Sequence, residues 1–110
     1  MSERQHLIAR YAYVLEAGTG FGRISLWDAG ENLIGEIGFL EEGRSAPNPK
    51  LANDLSHGIG FLPTSRMTAL IDMLRNEEAV YLALSDEPPG FFSVHTTSRQ
   101  KSFSESQTGG

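Results

Sequence analysis

The chain has 110 residues, enough to bury one hydrophobic core and too few to divide into two domains. With 39% hydrophobic and 21% charged residues it has the make-up of a packed globular domain, not of a disordered chain. Its net charge of -5, from 14 acidic and 9 basic residues without a basic cluster, disfavours a nucleic-acid surface, and the absence of cysteine excludes disulfides, thiolate metal ligands and a thiol nucleophile.

The start, MSERQHLIAR, is polar and has no apolar signal core, and no run reaches the ~18 apolar residues of a membrane span. A cytoplasmic protein with no membrane association is expected. From His6 to Glu16 the alternation of Leu7, Ala9, Tyr11, Tyr13 and Leu15 with Ile8, Ala12 and Val14 predicts a strand. Gly18, Gly20 and Gly22 invite comparison with a dinucleotide fingerprint, but the third glycine comes one position early and a strand follows where that chemistry needs a helix, so they read as a hairpin. The second strand covers Arg23 to Trp27, and Asp28 to Asn32 forms a tight turn. A third strand runs from Leu33 to Glu41, with Gly35 and Gly38 marking bulges or close backbone approach.

The segment from Glu42 to Ser56 holds two prolines and few large apolar residues, which predicts an exposed loop pinned by Leu51 and Leu55. A loop of that length in a compact domain points to a binding role. A short fourth strand, His57 to Leu62, leads into a helix from Ser65 to Asn76, where Pro63, Thr64 and Ser65 supply cap chemistry. Met67, Leu70, Ile71 and Leu74 form its apolar stripe. Val80 to Ser85 alternates as a fifth strand, Asp86 to Gly90 turns, and Phe91 to Thr97 is the last strand. The domain therefore spans residues 6–97, and the serine- and glycine-rich residues 98–110, with Phe103, form a disordered tail.

Chemistry is sparsely signalled. His6, His57 and His95 have no zinc spacing, so no metal and no cofactor are expected. His95 shares a strand face with Ser93 and Phe91 and is a candidate proton carrier, although a half-exposed strand histidine is ordinarily structural. Asp54, Ser56 and His57 lie close in sequence without the strained elbow that exposes a serine nucleophile. The paired carboxylates Glu41-Glu42, Glu77-Glu78 and Asp86-Glu87 flank turns, where charge is solvated. Tyr11, Tyr13, Trp27, Tyr81, Phe91 and Phe92 could stack bases, but their alternation with Leu7, Leu15, Val80 and Leu84 reads as core. The candidate binding residues are Trp27, His57 and His95, and no catalytic residue is assigned.

The segment DMLRNEEAVYL, Asp72 to Leu82, resembles a stretch of small uncharacterised bacterial α+β proteins in which a helix ending in LRNE runs into a strand beginning VYL. That resemblance implies a shared fold and no activity. The inferred order of meander and helix is also similar to Whirly-type single-stranded DNA binders, from which two strands after the helix and the lack of a basic face set it apart.

These signals predict an α+β fold: an antiparallel meander sheet with one amphipathic helix packed on one face. Ile8, Val14, Trp27, Ile34 and Leu40 fall on the face opposite the helix and call for a cover, which a homodimer would supply. The function expected is a non-enzymatic, homo-oligomeric binding or interaction module. The alternatives are a single-stranded nucleic-acid binder and a small-molecule enzyme using a strand histidine.

Overall fold

A computed structural model describes residues 2–15 and 22–96. The hairpin connection around Gly18 and Gly20 and the tail from residue 98 lie outside the described residues. The fold is α+β, with one helix packed on a mostly antiparallel framework of two sheets.

The predicted first strand is two. β1 (Glu3–Leu7) and β2 (Arg10–Leu15) are separated at Ile8 and Ala9, whose amides donate to Val80 O at 2.9 Å and to Trp27 O at 2.8 Å. Those two bonds point to different sheets, so the chain changes sheet there, and the inward face passes from the even positions His6 and Ile8 to the odd position Tyr11. β2 pairs with β3 (Gly22–Trp27), and β3 with β4 (Leu33–Leu40), giving the expected meander. Around the turn between them Asp28 Oδ1 accepts from the amides of Gly30 and Asn32, both at 2.9 Å, and this network holds Glu31 at φ 64.

A bulge sets which side of β4 faces inward. Leu26 opposes Gly35 and Trp27 opposes Leu33, so Ile34 is the extra residue and turns into the core at 1% exposure. Ile34 therefore leaves the outer set to which simple alternation assigns it. The long loop carries a two-residue strand, β5 (Lys50–Leu51), and its Leu55 is buried at φ 59. β6 (Gly58–Pro63) pairs with β5 in antiparallel fashion and with β4 in parallel, so this step is a crossover and not a further meander.

A turn of 3-10 helix (Thr64–Arg66) leads into α1 (Met67–Asn76). The expected cap residues do not cap it with their side chains. Thr64 Oγ1 donates to Leu40 O at 2.7 Å, and the Ser65 amide is taken by Glu42 Oε1 at 2.8 Å, so the cap comes from the loop 23 positions earlier. β7 (Tyr81–Ser85) and β8 (Phe91–His95) complete a second, three-stranded sheet in the order β1, β7, β8.

Helix and small sheet cover the same inner face of the five-stranded sheet. Ile24, Leu26, Ile37 and Phe39 from that sheet meet Leu70 of α1 and Leu82 and Leu84 of β7, with Met67, Ile71 and Leu74 packed against this cluster. The approach of β7 and β8 is close because the opposing floor is glycine. A Cβ built on Gly60 would lie 2.7 Å from Phe92 Cδ1, one on Gly58 2.9 Å from Leu84 Cδ2, and one on Gly35 2.7 Å from Leu82 Cδ2. No helix among the described residues is long and apolar enough to cross a membrane.

Candidate functional site

Where α1, β6, β8 and the long loop meet, they leave a half-open cleft of about 610 Å3. Its floor is Ile37 and Gly60, one wall is Ala69, Leu70 and Met73 of α1, and the other is Phe92 and Val94 of β8. Pro47 and Pro49 close the loop side. The volume lies in the range of about 300–1,000 Å3 usual for small-molecule sites, whose walls are likewise mostly apolar.

Each wall follows from local sequence. Arg66, Leu70 and Met73 stand at i, i+4 and i+7, so they share a helix side adjoining the Met67, Leu70, Ile71, Leu74 stripe. Ala69, one turn from Arg66, is exposed and leaves the mouth open. The prolines carry no amide hydrogen, so the loop can present them to an apolar space without orphaning a donor.

Among the described residues, the polar side chains lining the cleft are Ser93 and Arg66. Arg66 is exposed at the entry to α1, and among the described residues its guanidinium has no ion pair and no hydrogen bond. Nearby, the Ser65 hydrogen bonds hold the Glu42 carboxyl below its ordinary value, with a smaller contribution from Arg66.

The residues singled out in sequence do not converge. Trp27, at the end of β3, lies under the Arg10 guanidinium, which sits 4.2 Å from the ring centroid in a cation–π contact. His57 precedes β6, its Nε2 3.8 Å from Glu36 Oε1, with both side chains about one third exposed. His95 closes β8 and stacks on Tyr81 with centroids 6.0 Å apart. Trp27 thus belongs to the five-stranded sheet, His57 lies just before its strand β6, and His95 belongs to the other sheet.

A second concavity, polar, lies beside β1, where Arg4, His6, Asp28 and Ser56 come together. Its groups hold turns. Buried His6 donates through Nε2 to Leu55 O at 2.8 Å, and Arg4 Nη1 reaches Asp54 O at 3.4 Å. Ser56 Oγ donates to Asp54 Oδ1 at 2.6 Å, so the hydroxyl is directed to a carboxylate and not to a histidine base. The Ser56 bonds hold the Asp54 carboxyl below its ordinary value, as the Asn32 bonds do for Asp28. Among the described residues no group of three or more metal-ligating side chains occurs.

Sequence reasoning flagged the long loop as a binding element and missed Arg66, Met73, Phe92 and Val94 as neighbours of one space. Met73 was legible as i+3 from Leu70. The β8 residues were not, because their meeting with β6 is set by sheet packing. No family model matches the chain, and no curated protein or solved structure matches it.

Proposed function

We propose that this chain is a non-enzymatic binding module, working as a homodimer, whose ligand site is the apolar cleft between α1, β6 and β8. The observation that carries the reading is a concavity of about 610 Å3 lined by Leu70, Met73, Phe92 and Val94, with no titratable acid–base pair facing it among the described residues. Burial of an apolar ligand there would be driven by removal of carbon surface from water, at about 25 cal/mol per Å2 before the costs of ordering. The histidine-enzyme alternative finds less support, since neither His57, just before β6, nor His95, at the end of β8, lines the cleft.

Fluorescence of phenylnaphthylamine, a neutral apolar probe, tests the site. Saturable enhancement by the parent protein is expected, together with its loss in Ala69→Trp, where an indole on an exposed helix position fills the mouth. No saturable binding, or binding indifferent to Ala69→Trp, would refute the cleft as the site.

A further inference from the structure

We infer that the cleft takes an amphipathic anion, an alkyl or aryl carboxylate with its apolar body against Phe92 and Met73 and its carboxylate on Arg66. The inference rests on the cleft reading above and adds the class of head group. Among the described residues Arg66 is the one charged residue lining the cleft, set at the entry of α1 where Ala69 leaves the mouth open. Among the described residues its donors are unused by any ion pair or hydrogen bond. A planar guanidinium with free donors beside an apolar wall suits a carboxylate in bidentate geometry. Ser93, on the opposite side, offers a hydroxyl and no charge, so nothing there competes for the anion.

Glu42 tempers the site. Its carboxylate already accepts from the Ser65 amide in the 3-10 turn that leads into α1, so that donor is taken and the head group depends on the guanidinium. Removing the Glu42 charge while keeping an acceptor should therefore strengthen anion binding. Arg66 is solvent-exposed, so the pair is screened, and the expected preference is the modest one of an exposed ion pair.

Displacement of bound phenylnaphthylamine by octanoate and by octanol separates tail from head, because the two share an alkyl chain. Octanoate is expected to displace the probe at about three- to fivefold lower concentration than octanol. That preference, taken as the ratio of the two displacing concentrations within each variant and salt condition, should vanish in Arg66→Gln, survive in Arg66→Lys, grow in Glu42→Gln and shrink in high salt. Octanol displacement without an octanoate preference, or a preference that persists in Arg66→Gln, would overturn the head-group assignment and leave the cleft standing. Failure of the probe to bind the parent protein would overturn both.

Discussion

A methyl group at Gly60 would meet the Phe92 ring at 2.7 Å from Cδ1 and 2.8 Å from Cγ, atoms near the root of a side chain that cannot swing its end aside. Gly60→Ala is therefore expected to destabilise the fold by about 1–3 kcal/mol, the cost of overpacking a closed core, read as a fall in the denaturant midpoint. An unchanged midpoint would mean that the ring does not seat on Gly60. Close approach was legible at Gly35, where an interior strand glycine invites that reading. At Gly60 the partner lies across the sandwich, and HGIGFL read by itself is simply a strand. The carboxylates of Asp28, Glu42 and Asp54 are each held below their ordinary values by hydrogen bonds to Asn32, Ser65 and Ser56 respectively. A depressed folded-state value means that the stabilisation is complete above the unfolded value and is lost as pH falls through the folded one. Stability should thus be flat through neutral pH and decline below about pH 4, the unperturbed carboxylate region. Replacing all three by their amides should flatten that acid limb in melting temperature against pH.

The helix was the most readable element, because its apolar stripe has the period of a helix and one side to bury. Leu70 is 5% exposed within the cluster shared by both sheets, so Leu70→Ala is expected to cost about 2–5 kcal/mol, whereas Leu74→Ala, at a half-buried position, should cost less. Equal losses at the two positions in urea titrations would contradict this placement of the helix. Its cap was not readable, since Glu42 reaches Ser65 from a loop and local cap rules see only neighbours. The break at Ile8 and Ala9 was equally hidden. No glycine or proline marks it, and the apolar alternation of the sequence runs on through it although the inward face steps out of phase between Ile8 and Tyr11 as the chain changes sheet. Parallel pairing of β4 with β6 escaped for a related reason: the connecting loop lacks the helix that ordinarily signals such a crossover.

At the scale of the molecule, helix and small sheet share one inner face, which leaves both outer faces open. Val14 is 41% exposed on the outside of the five-stranded sheet, with Trp27, Leu40, Ile59 and Phe61 half-buried on the same side. The proposed homodimer should run near twice 12.0 kDa in light scattering at tens of micromolar, and Val14→Lys should shift it toward monomer with little change in melting temperature. A mass near 12.0 kDa for the parent chain would refute the dimer. Sheet composition also imposes an order of events during synthesis. β1 is the first of these strands to be made, yet its hydrogen-bonding partner is β7, and the Ser2 amide finds Asp86 Oδ1 84 positions later. At about 5–20 residues per second the ribosome leaves β1 without its ladder for several seconds, while β2, β3 and β4 can already pair with one another. Nascent chains halted before Tyr81 should accordingly be cleaved by protease within β1, and chains extended past His95 and released should be protected there.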